Sequence, residues 1–256
     1  MIHKYRIGVD VGNTLTKLNL NNGKVVIIET KDFINDCDSS EINSIHFNLQ
    51  SIDECIMSVS SVISDDNTQK IIQRINDCMQ FTNTKVILWN SNHIIQKSSI
   101  INSSSLEHLG TDRTLRIYYL NKLMHNSKET RISCGCGTAF TVEVVKNHCF
   151  IESYILPGLD MQLESLNKKT AKLPLVSSKH ILKQLSKEHI FSTPYSIING
   201  VLHGYTSIID GLLKKFHPAS IVLSGGYAEI LKKFYENNND VVVIKNLESK
   251  VLVDLV

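Results

Sequence analysis

The stretch RIGVDVGNTLTKLNL, residues Arg6–Leu20, brings a carboxylate, a small turn, a hydroxyl and a lysine close together. A short apolar run ends at Asp10, Gly12-Asn13-Thr14 follows as a turn, and Lys17 lies on a second apolar run. A strand–turn–strand of this kind places backbone N–H groups, a hydroxyl and an amide around one point, which suits phosphate oxygens. Gly12 lets a phosphate approach, Lys17 offers a point charge, and Asp10 could hold Mg²⁺ directly or through water. The same residues also suit an ordinary β-hairpin, and this motif alone does not decide between the two.

Length and composition limit the classes of protein to consider. The chain has 256 residues, enough for one large domain or two domains of roughly 110 to 140 residues. Apolar residues make up 42% and charged residues 20%, with a net charge of +2 and no run of Lys or Arg. This balance argues against nucleic acid or an anionic membrane as a partner. With no signal-peptide core and no apolar run long enough to span a bilayer, we expect a cytoplasmic protein whose six cysteines are reduced.

The pattern along the chain repeats itself. Apolar runs predict strands at 6–9, 16–19, 24–28, 55–63, 85–89, 131–134, 139–145, 149–155 and 220–226. Helical spacing predicts helices after Asp65, at 112–123, 159–167 and 194–215, and near Tyr227. Residues 30–50 are polar and weakly patterned, and residues 91–108 predict a loop or a short irregular helix. A β-β-β-α-β-α theme that recurs from about residue 131 predicts two similar α/β domains, 1–111 and 112–256, with a cleft between them.

Two glycine turns lie in the second half. The stretch CGCGTAFTVE, Cys134–Glu143, predicts a strand, a tight turn at Gly137-Thr138 and a second strand, which is the geometry of the first motif again. The stretch SGGYA, Ser224–Ala228, predicts a strand that ends in a glycine turn, where an adenine or ribose could rest beside a helix N-terminus. Phosphate turns at matching points of both halves are typical of the actin-like sugar-kinase architecture, in which the two turns face each other.

The stretch LGTDRT, Leu109–Thr114, allows two interpretations. Asp112 could accept a proton from a substrate hydroxyl, and Arg113 could bind a carboxylate through two hydrogen bonds. Alternatively, Thr111 or Asp112 caps a helix and Arg113 is solvated. Cys134-Gly135-Cys136 could form a metal or redox site, but we expect small, half-buried strand residues there.

Taken in order, the motifs resemble those of the type III pantothenate kinases, a family of the actin-like (ASKHA) superfamily. The resemblance covers nearly the whole chain, from DVGNTLTK through LGTDR and GTAFT to IVLSGGYA. Its most specific part is the segment YILPGLDMQLESLNKKTAKLP, Tyr154–Pro174. It implies two actin-like (ribonuclease H-like) domains and an ATP-dependent phosphorylation of pantothenate, the first step of coenzyme A synthesis. It also implies a homodimer that needs Mg²⁺ and a monovalent cation, K⁺ or NH₄⁺.

The resemblance also implies residue roles. Asp112 would be the general base, and Asp10 would organise Mg²⁺. The nucleotide would meet two turns and the adenosine site, at Asp10, Gly12, Asn13, Thr14, Lys17, Gly137, Thr138, Gly225 and Gly226. Pantothenate would contact Gly110, Thr111, Arg113 and Thr193, with Arg113 on its carboxylate and Thr193 reaching it, in one reading, from the partner subunit.

Two of the departures from the family pattern bear most directly on activity. Gly135 stands where the family has an aspartate that helps to bind the monovalent cation, and Glu152-Ser153 stands where the family has two glycines. These departures leave two alternatives open beside an active pantothenate kinase. One is a degenerate paralogue that binds nucleotide or acts as a regulatory accessory protein. The other is a kinase of the same superfamily that acts on another small hydroxylated substrate.

Overall fold

The structure is a computed structural model that describes residues 4–35, 54–79, 83–100, 106, 108–124, 129–178, 181 and 192–256. The predicted segments 30–50 and 91–108 lie partly outside the described residues, and Cys37 lies wholly outside them.

A five-stranded sheet forms the first half of the chain. Its strands are β1 (Lys4–Val11), β2 (Leu15–Leu20), β3 (Val25–Glu29), β4 (Glu54–Ser61) and β5 (Thr84–Leu88). The order across the sheet is β3-β2-β1-β4-β5, with β1–β3 an antiparallel meander and β4 and β5 parallel to β1. The accompanying helices are α1 (Thr30–Ile34), α2 (Asp65–Met79), α3 (Ser91–Ser98) and α4 (Thr111–Lys122).

A second five-stranded sheet has the same plan. Its strands are β6 (Thr130–Cys136), β7 (Ala139–Lys146), β8 (Cys149–Pro157), β9 (Ala219–Ser224) and β10 (Val241–Val243), in the order β10-β9-β6-β7-β8. The meander β6–β8 is antiparallel, and β9 lies parallel to β6, as β4 lies parallel to β1. The helices of this part of the chain are α5 (Leu159–Lys169), α6 (Thr193–Lys215) and α7 (Ala228–Lys232), then a 3₁₀ helix (Lys233–Tyr235). The last helix, α8 (Leu247–Asp254), belongs to the first unit. The predicted repeat of one α/β theme is therefore confirmed.

Local sequence accounts for the elements that flank the sites. From Ile7 to Val11 both faces of β1 are buried, which explains the apolar run there. Helix α2 buries Ile71, Ile72 and Ile75, three residues of its helical stripe, in the core of the first sheet. Helix α6 begins after Ser192, whose side chain accepts a hydrogen bond from the backbone N–H of Tyr195. Among the described helices, none combines the length and the apolar character that crossing a membrane requires.

Helix α8 returns to the first sheet. A Cβ atom at Gly8 of β1 would collide with the backbone carbonyl oxygen of Ser249, so the helix backbone lies directly against the strand. Leu252 and Val253 are the next nearest neighbours of that position. The first strand therefore needs a glycine at position 8 of the chain because a helix from a distant part of the sequence covers it.

The chain divides into two compact units, which differ from the predicted domains in two places. One unit is Met1–Lys122 together with Asn246–Val256, and the other is Leu123–Lys245. Helix α4, which we expected to open the second domain, belongs to the first unit, and its Thr111 hydroxyl donates to the backbone oxygen of Ser61 at 3.2 Å. Helix α8 also belongs to the first unit because it packs on β1.

Candidate active site

The first turn joins β1 to β2 in tight register. Asp10 lies opposite Lys17, and Val11 lies opposite Thr16. The backbone N–H of Gly12 donates to the carbonyl oxygen of Leu15 at 3.0 Å, and this closes the turn. A Cβ atom at Gly12 would lie 2.9 Å from that same oxygen, so a side chain there would force the turn to shift.

Thr30, the first residue of α1, holds this turn from behind. Its hydroxyl donates to the carbonyl oxygen of Gly12 at 2.7 Å, and its backbone N–H donates to the carbonyl oxygen of Thr14 at 2.9 Å. Asn13 and Thr14, at the tip of the turn, are exposed. The turn is thus fixed by its carbonyl groups while its tip faces solvent, as the phosphate-binding interpretation requires.

Asp10 is a buried carboxylate in a charged environment. Only 8% of the residue is exposed, and Ser60 on β4 donates to its Oδ1 atom at 3.3 Å. Burial raises the pKa of Asp10 above its ordinary value, Glu248 and Asp112 raise it further, and Lys17 and Arg116 partly offset the rise. An anionic Asp10 therefore carries a free-energy cost that a nearby cation would relieve.

Asp112 belongs to a chain of charged side chains. It is the second residue of α4, and its Oδ2 atom lies 3.3 Å from the Nη2 atom of Arg116, one helical turn later. The Nη1 atom of Arg116 lies 2.6 Å from Oε1 of Glu248 on α8. Burial acts to raise the pKa of Glu248, but attraction to Arg116 and Lys17 and hydrogen bonding outweigh it, so the pKa is lowered. Glu248 is therefore held as an anion.

The β4 strand links the two motifs of the first unit. Ser60 bonds to Asp10, while the backbone oxygen of the next residue, Ser61, accepts a hydrogen bond from Thr111. A Cβ atom at Gly110 would lie 2.7 Å from Oδ1 of Asp112, so the carboxylate lies over this glycine. Arg113, expected to be solvated in one interpretation, is instead buried, with 8% of the residue exposed.

The second turn, between β6 and β7, is also closed by the N–H of its glycine, but it is one residue tighter than the first. The backbone N–H of Gly137 donates to the carbonyl oxygen of Ala139 at 3.1 Å, and Gly137 and Thr138 are exposed. The backbone N–H of Gly158 donates to the carbonyl oxygen of Thr138 at 3.0 Å. A side chain at Gly158 would collide with the backbone of Gly137 and Thr138, which explains a glycine in the Pro-Gly segment.

The turn after β9 meets the end of β6. Gly225 has φ +103°, a left-handed conformation that favours glycine, and a Cβ atom there would collide with the backbone of Cys136. Gly226 is exposed, and a Cβ atom on it would meet nothing within 4 Å. The second unit therefore brings the Gly137-Thr138 turn and the Gly225-Gly226 turn to the same end of β6. Thr193 is exposed at the start of α6, and among the described residues no hydrogen bond joins it to either turn.

Gly135 occupies the place in the second sheet that Asp10 occupies in the first. Each residue precedes its turn glycine by two positions, and each lies opposite a serine of the neighbouring parallel strand, Ser224 or Ser60. The repeat of the fold is thus accompanied by the loss of a carboxylate at this position.

The cysteines beside Gly135 are packing residues. Cys134 and Cys136 are fully buried thiols, more deeply buried than the half-buried strand residues we expected. Across the part of the chain that the structure describes, no three His, Cys, Asp or Glu side chains are grouped to hold a metal ion. A magnesium ion bound at Asp10 would therefore have few protein ligands, in keeping with the usual preference of Mg²⁺ for water and phosphate oxygens.

Sequence reasoning did not identify Arg116 and Glu248. Arg116 follows Asp112 by four residues, and this spacing on a helix is a signal that could have found it. Glu248 has no such signal, because its proximity depends on how α8 packs against β1 and α4. Ser60 and Thr30, which fix Asp10 and the first turn, were also missed, for the same reason of tertiary packing.

Comparison with known proteins gives the family. A profile of the type III pantothenate kinase family matches residues 6–215. The type III pantothenate kinase of Persephonella marina is 27% identical over 253 residues, covering 90% of each protein. That of Sulfurihydrogenibium sp. is 28% identical over 246 residues, covering 89% of this chain and 90% of that protein.

Two solved structures share the fold. A Campylobacter jejuni protein named as a Baf family transcriptional activator is 14% identical, with a TM-score of 0.58 and coverage of 98% of this chain and 96% of that one. An archaeal actin homologue is 12% identical, with a TM-score of 0.51 and 98% coverage of each chain. The actin-like α/β fold implied by the sequence motifs is therefore confirmed, and the chain belongs to the type III pantothenate kinase family.

Proposed function

We propose that the protein transfers the γ-phosphoryl group of ATP to the hydroxyl of pantothenate, forming 4′-phosphopantothenate in the first step of coenzyme A biosynthesis. One observation carries the proposal beyond family membership. Asp112 is held at the start of α4 by Arg116, and the same unit presents the Asp10 turn, with neighbouring serines of β4 bonded to both motifs. Phosphoryl transfer depends mainly on such positioning and on charge neutralisation.

Asp10 is suited to be a ligand of a magnesium ion. It is a buried carboxylate whose pKa is raised by burial and by neighbouring carboxylates, so a divalent cation would relieve its cost as an anion. Bound there with water and nucleotide phosphates, Mg²⁺ would neutralise charge on the phosphates. Ser60 orients the carboxylate through its hydrogen bond to Oδ1.

The two turns are the proposed nucleotide contacts. In the first unit, the exposed tip at Asn13-Thr14 offers an amide, a hydroxyl and backbone N–H groups, and Lys17 adds a positive charge. In the second unit, the exposed Gly137-Thr138 turn offers a hydroxyl and a backbone N–H group, and the open face of Gly226 is the proposed border of the adenosine site.

Asp112 is the proposed general base. Its carboxylate accepts the proton of the pantothenate hydroxyl as that oxygen bonds to the γ-phosphorus, while the bond to the ADP oxygen breaks. Arg113 is the proposed partner of the pantothenate carboxylate, with Gly110, Thr111 and Thr193 as further contacts. A buried guanidinium suits this role because a bidentate ion pair is strongest away from water.

A matched pair of variants tests the base. Asp112 and Asp160 are each the second residue of a helix, α4 and α5, so Asp160→Asn controls for the loss of a carboxylate near a helix start. With ATP, Mg²⁺ and pantothenate, and the product identified by mass spectrometry, we expect Asp112→Asn to lower kcat by roughly 10²- to 10⁴-fold. Asp160→Asn should keep wild-type turnover. Near-normal turnover in Asp112→Asn would refute the assignment.

Gly135 favours a second candidate function. Because the position equivalent to Asp10 lacks a carboxylate, nucleotide binding without efficient turnover is the alternative, as in a regulatory accessory protein. A folded protein that binds ATP but phosphorylates neither pantothenate nor other small hydroxylated acids would establish that alternative.

We also propose that the enzyme is a cytoplasmic homodimer. Because residue 135 is a glycine, any monovalent cation would have to be bound without a carboxylate at that position. The described cysteines are free thiols, in keeping with a reducing compartment. Edge strand β8 exposes Ile151 and Ile155, which a second subunit could cover. Light scattering coupled to gel filtration would measure the oligomeric state.

A further inference from the structure

A buried ion pair joins α4 to α8 beside the proposed base. The side chains of Arg116 and Glu248 are 4% and 6% exposed, and their charged atoms lie 2.6 Å apart. Burying two charges is costly, and an apolar pair of similar size would often hold two helices together at least as well. The position of this pair is therefore better explained by what Arg116 does with its other nitrogen.

Arg116 divides its guanidinium between two carboxylates. Nη1 contacts Glu248, and Nη2 contacts Oδ2 of Asp112 at 3.3 Å. Because the guanidinium is planar and rigid, fixing one nitrogen on Glu248 also fixes the direction in which the other points. The Asp112 side chain is 34% exposed, so the arrangement runs from a buried anchor to a carboxylate that solvent reaches.

The backbone fixes where Glu248 stands. It is the second residue of α8, and the carbonyl of the next residue, Ser249, lies directly against Gly8 of β1. Asn246, immediately before the helix, has φ +53°. The carboxylate of Glu248 is thus presented by a helix whose position is set by close contact with the strand that carries Asp10.

A second ion pair between the same helices provides a comparison. Lys122 and Asp254 lie 3.8 Å apart, with side chains that are 56% and 62% exposed. This pair links α4 to α8 as well, but it is exposed to solvent. It joins the C-terminal ends of the two helices, whereas Asp112 and Glu248 lie at their N-terminal ends. Exposed pairs of this kind contribute little to stability.

We propose that Glu248, acting through Arg116, is a positioning residue that holds the Asp112 carboxylate in the orientation needed to accept a proton from substrate. The inference rests on the proposed function, in which Asp112 is the general base. It extends the site to α8, outside the segment 6–215 that matches the family profile.

Steady-state kinetics of the full chain test the role. Glu248→Gln keeps the size of the side chain and removes its charge, and we expect kcat to fall roughly 10- to 100-fold, as for a catalytic group displaced by about 1 Å. The KM values for ATP and pantothenate should stay close to those of the wild type. Asp254→Asn, which removes the exposed pair between the same helices, should leave both kcat and KM unchanged. Thermal unfolding of each variant monitors folding.

A double variant separates positioning from structural support. If Glu248 acts only through Asp112, adding Glu248→Gln to Asp112→Asn should lower kcat no further. A purely structural role would instead lower kcat by the same factor in both backgrounds, and that result would overturn the proposal. Should Glu248→Gln fail to fold, Arg116→Lys tests the same point. Lysine keeps the positive charge but lacks the two guanidinium nitrogens that contact both carboxylates. An unchanged kcat in Arg116→Lys would also overturn the proposal.

The outcomes for the wild type and the variant are distinguishable. An inactive wild-type protein refutes the proposed function, and the inference falls with it. An active wild type whose Glu248→Gln variant turns over equally fast overturns the inference alone. A fall in kcat with unchanged KM, absent from the Asp112→Asn background, supports it.

Discussion

Replacing Asp10 by asparagine should stabilise the protein in the absence of divalent cations. The pKa of Asp10 is raised from 3.8 to about 7, first by burial and then by Glu248. At about 1.4 kcal/mol for each pKa unit, the anionic form costs the folded state up to roughly 4 kcal/mol. Asparagine has nearly the same shape, keeps an oxygen that can accept the hydrogen bond from Ser60, and carries no charge.

The sign of the pH dependence follows from the direction of the shift. A carboxyl whose pKa is higher in the folded state than in the unfolded state favours folding while it is protonated, and that advantage is lost as the pH rises through the folded-state pKa. The stability difference between variant and wild type should therefore be small near pH 4 and grow until about pH 7.

Thermal unfolding with a chelator present measures this difference. For a protein of this size, about 2 to 4 kcal/mol corresponds to a rise in Tm of roughly 5 to 10 °C at pH 8. Asp254→Asn removes an exposed carboxylate from the same unit and should show no comparable rise. A Tm difference that stays constant from pH 5 to pH 8, or an Asp10→Asn variant that is less stable than the wild type at pH 8, would refute the reasoning.

Two further predictions concern glycines. Gly8→Ala should unfold or strongly destabilise the first unit, since the new methyl group would collide with the backbone of Ser249. Gly204→Ala, in open space within α6, should instead stabilise the protein by roughly 0.5 to 1 kcal/mol. Denaturant titration of both variants measures the two changes in the free energy of unfolding. Because Gly135 places no carboxylate at the position equivalent to Asp10, turnover should be the same in potassium, ammonium and choline buffers. Stimulation by potassium or ammonium alone would show that other groups supply a cation site.

Local patterns predicted most of the strands and the two turns. The meander 6–28 became β1–β3, and Gly-Thr-Ala became the turn after β6, because strand periodicity and turn chemistry depend on near neighbours. The segment around residue 91, expected to be irregular at best, is instead a regular helix, α3, capped by Asn90. The Asn90 cap is the local signal in the sequence for this helix.

What the sequence could not predict depends on distant contacts. Helix α8 and strand β10 lack strong periodicity, and the return of α8 to β1 has no local signal. The charge of Arg113 alone predicts a solvated side chain, yet the residue is buried. Within the charged group of Asp112, Arg116 and Glu248, the sequence could predict only the Asp112–Arg116 pair, because these two residues are four positions apart on one helix.

The position of α8 also sets an order in time. During synthesis, Leu123–Lys245 emerges as one continuous segment, whereas Met1–Lys122 leaves the Gly8 face of β1 uncovered. That face is closed only after the ribosome has made residues 246–256. The unit that begins first is therefore completed only after the second unit has been made, and the carboxylate proposed to accept the substrate proton acquires its buried anchor only then.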